Sequence, residues 1–338
     1  MPTYTESESK EWARENMRGV CNVVMPSFSQ DMKKLNEPAI RHDVRRIKEL
    51  GFWGSLAVSE CGTTVDEYIR FMEIVKDEGG EDFHLVVHAN FDAADDVVRV
   101  GQAGADAGAS LLLLSYPQTF YPRTEQDVYD YSTKIMDAVP LATVLFSVDH
   151  WNFGRLHPGQ LSPQLVGRLA DHPRAVALKC EGGTGNGAHT DMLRLCSDRL
   201  LISDPREATA PGFVQWFGMQ WMGTSNFQFF GDAVPRYFDL MHQDRWDEAM
   251  EIWWRIQPAR AARLAFSQSY SGAHYIHRVG WKYMEWLNGF NGGSLRSPAM
   301  RLSDGAMRRI AEGALKAGII DELPSSDLTE FYLGRNPE

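Results

Sequence analysis

A (β/α)8 barrel of the TIM type, followed by a helical C-terminal region, is the fold class that the sequence predicts, and three observations predict it. Apolar runs of about four to seven residues, unbroken enough to be buried on both faces, alternate with helical stretches from Gly19 onward. About eight such units occupy roughly 210 residues, which suits a closed barrel better than an open doubly wound sheet. Beyond Pro235 the strands stop, and long amphipathic helices follow. The expected division is residues 1–18 as an N-terminal extension, 19–232 as the barrel and 233–338 as the helical region.

Each element has its own signal. Residues 19–28 (GVCNVVMPSF) read as a strand running into a loop, and 37–50 show helical periodicity with Pro38 in the first turn, stopped by Gly51. A second apolar run at 55–59 leads into Glu60-Cys61-Gly62-Thr63-Thr64, and 66–76 returns to helix. The pattern continues with strand 84–88, helix 92–104, strand 110–115, helix 124–139, strand 141–148 and helix 162–172. Ala175 to Leu178 open the next strand, 200–203 form a seventh, 211–220 a short helix and 222–227 a weaker eighth strand. Three long helices are expected over 233–256, 258–287 and 303–317, with a turn-forming stretch at 288–298.

Composition narrows the function. Hydrophobic residues at 43% and charged residues at 23% of 338 are ordinary for a globular chain with a substantial core. The net charge of -11 argues against nucleic acid and anionic membranes, which need a basic footprint. No stretch approaches the ~18 apolar residues of a membrane span. The N-terminal stretch lacks the apolar core of a signal peptide or anchor, so a cytoplasmic protein is expected. Cys21, Cys61, Cys180 and Cys196 show no CxxC spacing or disulfide framework, which fits a reducing compartment. The ten tryptophans crowd the second half, as core, subunit interface or the wall of an aromatic-binding site.

The chemistry of such a barrel belongs at the C-terminal ends of its strands. Lys179 is the one lysine among the residues that the predicted strand ends supply. Burial at a strand end disfavours an ammonium and lowers its pKa, and a neutral amine can attack a carbonyl to form an imine. The alternative is a lysine that caps the strand through an ion pair with Glu181. His84 and His88 face one side of a strand, but a third metal ligand at matching spacing is missing, so neither a metal nor any other cofactor is expected.

Four features carry a family resemblance over about residues 19–320. These are Met25-Pro26-Ser27-Phe28 ending the first strand, the helix-to-strand junction 104–109, the lysine strand with its Gly-bearing turn, and the helical C-terminal region. The chain resembles the dihydrodipicolinate synthase / N-acetylneuraminate lyase superfamily of Schiff-base class I aldolases. The resemblance implies that Lys179 forms an imine with a 2-oxo acid, and that the iminium then draws electrons from a neighbouring C–C bond. Two positions depart from the pattern. Phe146 stands where the family usually carries a proton-shuttling tyrosine, and the loop that holds a substrate carboxylate reads Ser59-Glu60-Cys61-Gly62-Thr63 in place of a Gly-Thr-Thr sequence. Thr63 or Thr64 could supply the missing hydroxyls.

Proton transfer then falls to His150, four residues past Phe146 with an ordinary pKa of about 6.5, or to Glu60. Ser59, Cys61, Thr63, Thr64, Phe146 and Asn226 are the expected substrate-binding positions, with Tyr116 and Tyr121 in a loop where the family places a hydroxyl donated across a subunit interface. The resemblance also implies a homo-oligomer, dimer or tetramer. Length, aromatic content and Ser59-Glu60-Cys61 are most similar to the hydratase-aldolase branch, which acts on benzylidenepyruvates. The expected activity is a Schiff-base lyase acting on a 2-oxo acid or related carbonyl compound with a bulky, even aromatic, group. Two rivals stand beside it: a dehydratase or hydrolase using the same lysine, and an inactive barrel that binds a small carbonyl ligand.

Overall fold

The computed structural model describes residues 2–182, 187–271 and 275–337. Its strands are β1 (Gly19–Val24), β2 (Gly54–Ala57), β3 (His84–His88), β4 (Leu111–Leu113), β5 (Ala142–Ser147), β6 (Ala175–Cys180), β7 (Leu201–Ser203) and β8 (Trp221–Gly223). They form one eight-stranded sheet in the order β7-β6-β5-β4-β3-β2-β1-β8, with parallel pairing. Nearly every strand residue is buried, which is why these runs read as continuously apolar rather than alternating. β7 and β8 meet through a side chain. The Ser203 hydroxyl accepts from the Gly223 amide at 3.2 Å and lies 3.4 Å from the Gly223 carbonyl, bringing the ends of the sheet together as the nearly closed (β/α)8 barrel that the sequence predicts.

The helices are α1 (Ser9–Asn16), α2 (Glu37–Glu49), α3 (Val65–Gly79), α4 (Ala94–Asp106), α5 (Glu125–Ala138), α6 (Pro163–Leu169), α7 (Gly187–Cys196), α8 (Ala210–Phe217), α9 (Ala233–His242), α10 (Trp246–Arg255), α11 (Gln257–Ser271), α12 (Arg278–Leu287), α13 (Asp304–Lys316) and α14 (Thr329–Leu333). Their starts follow side-chain chemistry. Asn36 caps α2 ahead of Pro38, Thr64 and Thr124 close capping boxes with Glu67 and Asp127, and Ser162 caps α6 ahead of Pro163. None of the described helices is long and apolar enough to cross a membrane.

Two compact units divide the chain. One holds the residues up to Cys21 and His84–Thr224, and the other holds Asn22–Phe83 and the residues from Ser225 onward. In the first, the polar N-terminal stretch is structured. Tyr4 donates to the Ser110 carbonyl at 2.6 Å and accepts from the Ala142 amide at 2.8 Å, bridging the entries to β4 and β5. Lys10 and Arg14 reach the carbonyls of Ala170 and Asp198.

In the second unit the expected helices 233–256 and 258–287 are each two helices. The first breaks at 243–245, where Asp244 takes a left-handed conformation with φ of 57°. In the second, His277 caps α12 by accepting the Gly280 amide at 3.1 Å. An amphipathic pattern carries on across such breaks, so periodicity alone does not reveal them.

Candidate active site

Parallel register sets Lys179 in a row between Phe146 on β5 and Ser203 on β7. Its side chain is buried in this row, with the residue only 5% exposed. The amine Nζ lies 4.0 Å from the centre of the Phe146 ring and 3.3 Å from Glu181 Oε1. The electron-rich ring face and the carboxylate both attract a cation. The ion pair with Glu181 exists, then, but it joins the amine to a carboxylate that is itself a quarter exposed, at 26%. Cys180, on the opposite strand face, is buried, and burial pushes its thiol up to about 12, which leaves it protonated and inert.

The segment between β5 and α6 is bound to the lysine turn. Glu181 donates its amide to the Ser147 carbonyl at 2.7 Å, and Ser147 Oγ donates to the Gly159 carbonyl at 2.6 Å. A Cβ on Gly182 would lie 2.6 Å from both Gly159 O and Ser147 Oγ, so only glycine lets the two segments meet. Gln160 ties the segment to itself, donating to Asp149 and accepting the Phe153 amide. His150 sits half-buried in the short 3-10 turn Asp149–Trp151, whose Trp151 indole donates to the Phe146 carbonyl at 2.9 Å and meets the Phe146 ring edge-on. The remaining part of the turn, from Gly183 to Asn186, lies outside the described residues.

The two loop tyrosines part company. Tyr116 is buried among Phe120, Tyr131, Trp151 and Phe153, and its hydroxyl is 2.8 Å from Ser132 Oγ. Since Ser132 donates to the Val128 carbonyl, Tyr116 is the donor to Ser132, and burial raises its pKa. Tyr121 is 68% exposed with the Arg155 guanidinium 3.9 Å over its ring.

Beyond β7 lies a charged cluster that strand patterns alone do not reveal. Asp204, fully buried, chelates Arg206 and accepts from Thr209 at 2.7 Å. His189 lies 3.9 Å from Asp204 and edge-on to Phe213, with burial lowering its pKa against the pull of Asp204.

The other predicted positions belong to the second unit. Glu60 forms a close ion pair with Arg278, the first residue of α12, whose guanidinium stacks 4.6 Å from the Trp281 ring centre. Cys61 is buried, and burial pushes its thiol up to about 12. Thr64 spends its hydroxyl capping α3 at the Glu67 amide, while the buried Thr63 hydroxyl has no hydrogen-bond partner among the described residues. Ser59 is buried, and Asn226 donates to the Trp281 carbonyl and to Glu285. This unit also holds a lysine that the strand-end argument did not consider. Lys282 is fully buried on α12, donating to the Pro26 carbonyl at 2.6 Å and the Ser27 hydroxyl at 2.8 Å. No apolar strand announces it, because a helix carries it.

Fold and geometry together define a class, a (β/α)8 barrel that offers a buried lysine at the C-terminal end of its sixth strand. The chain belongs to the dihydrodipicolinate synthetase family, whose model matches residues 53–304. It is 28% identical over 211 residues to a 4-hydroxy-tetrahydrodipicolinate synthase of Pelobacter propionicus, an alignment spanning 59% of this chain and 68% of that protein. A second synthase of that name, from Haloarcula marismortui, is 27% identical over 177 residues, or 51% of this chain and 55% of its own length. The crystal structure of N-acetylneuraminate lyase from Fusobacterium nucleatum shares the fold with a TM-score of 0.72 at 19% identity, covering 89% of this chain and 98% of the other.

Proposed function

We propose that this protein is a Schiff-base lyase that forms an imine between Lys179 and a 2-oxo acid or related carbonyl compound with a bulky, even aromatic, group. The observation that carries the reading is the buried Lys179 amine, held between the Phe146 ring and Glu181 at the end of β6. Family membership supports a lyase of this type. An iminium at Lys179 draws electrons from the adjacent carbon and so weakens the next bond along the substrate.

The Phe146 ring can line the site and transfer no proton. We assign the proton transfer at the substrate to His150, on the turn that follows β5, because the alternative, Glu60, is engaged by Arg278. The Phe146 ring beside the amine, with Trp151 packed edge-on against it, favours a hydratase-aldolase or a dehydratase acting on an aryl-substituted substrate over a synthase of small aliphatic acids. A homodimer or homotetramer in a reducing, cytoplasmic setting completes the proposal.

Borohydride reduction in the presence of 2-oxo acids and aromatic aldehydes tests the reading. A reduced adduct located on Lys179 and absent from Lys179→Ala is the expected result. His150→Ala should keep the adduct and lose turnover by about 100-fold or more. No adduct with any carbonyl in the folded protein would remove the lyase reading.

A further inference from the structure

We infer that Glu181 carries the protons of imine formation at Lys179, an inference that rests on the lysine-imine reading above. Residues two apart on an extended chain project to the same side, so the strand that delivers the amine also delivers the carboxylate. The two atoms lie 3.3 Å apart. Glu181 is the more exposed of the pair, connecting a buried amine to water. Its backbone is fixed by the bond to Ser147 and by the close approach at Gly182, which sets the root of the carboxylate side chain beside the amine.

Two described neighbours of the amine are unsuited to the task. Phe146 presents a ring face to the amine, which attracts a cation and accepts no proton. Ser203, beside Lys179 in the row, spends its hydroxyl on Gly223.

The sequence of transfers closes on itself. The Lys179 ammonium passes a proton to the Glu181 carboxylate, and the neutral amine attacks the carbonyl carbon, forming the C–N bond as the carbonyl π pair moves to oxygen. Glu181 protonates that oxygen and then removes a proton from the nitrogen, leaving a neutral carbinolamine. It gives this proton to the hydroxyl, which leaves as water while the nitrogen pair forms the C=N bond. One ammonium and one carbonyl become one iminium and one water, and Glu181 ends as the carboxylate it was. His150 is left to act on the substrate's own protons.

The test follows the rate of borohydride-trapped adduct at Lys179 in wild type, Glu181→Gln and Glu181→Ala, with pyruvate, phenylpyruvate and benzaldehyde as probes. Glu181→Gln should form the same adduct about 100-fold more slowly. Added formate should accelerate Glu181→Ala and leave wild type unchanged. The opposite sign is equally readable. A carboxylate that merely holds the ammonium in place would, once removed, free the amine and speed trapping, so a rate in Glu181→Gln equal to or above wild type overturns the inference while the lyase reading stands. Failure of formate to accelerate Glu181→Ala, with that variant folded by circular dichroism, overturns it as well. If wild type itself gives no adduct with any probe, the lyase reading falls and the inference falls with it.

Discussion

Phe146 shows how one side chain redirects the chemistry of its neighbour. A tyrosine there would offer a hydroxyl to the Lys179 amine, whereas the phenyl ring offers only its face, and the carboxylate of Glu181 is the titratable group 3.3 Å from that amine, to which we assign the proton exchange. A second residue-scale effect concerns acid. Burial lowers the His189 pKa, so between that lowered value and about 6.5 the unfolded chain binds a proton that the folded chain does not. His189 therefore supports the fold in full above about pH 6.5, and that support is lost as pH falls, at up to about 1.4 kcal/mol per pH unit. Urea unfolding of wild type and His189→Leu at pH 7 and pH 5 checks this. The stability difference should shift toward the variant at pH 5, and an unchanged difference would refute it. Strand-end position, readable from an apolar run, singles out Lys179, and the family resemblance singles out Phe146. Strand-end position also marks Asp204, but the pairing of Glu60 with Arg278 is not legible, since an ion pair between distant segments leaves no periodic trace.

Among the elements, strands and caps were the readable part. Every strand run expected from Gly19 to Phe227 overlaps an observed strand, and Thr64, Thr124 and Ser162 start helices as capping residues do. Breaks inside amphipathic stretches were not readable, as 243–245 shows. The connection between β5 and α6 is the element that matters most for the site, because it meets the lysine turn where Gly182 has no room for a side chain. Gly182→Ala should push Gly159 and Ser147 apart, destabilising the protein by about 1–3 kcal/mol and slowing adduct formation at Lys179. Thermal unfolding and trapping on the same variant read the two effects, and a wild-type trapping rate would disconnect this loop from the amine.

At the scale of the whole molecule, the N-terminal stretch expected as an extension has a structural task. Tyr4 fills a hydrogen-bonding position between the entries to β4 and β5, more than 100 residues away along the chain. Tyr4→Phe removes both bonds and leaves the Ala142 amide unpaired, at a cost of about 1–3 kcal/mol in denaturant unfolding. A loss below a few tenths of that range would show that water takes over the position. The junction of β7 and β8 carries a different consequence. Most of this cylinder is riveted by rows of backbone amides, whereas among the described residues its two free edges are joined by the hydroxyl of Ser203, which stands directly beside Lys179 in the same row. A seam joined through a side chain is more compliant than one laced by backbone amides, so along the flank of Lys179 that faces β8 deuterium would enter the backbone earliest.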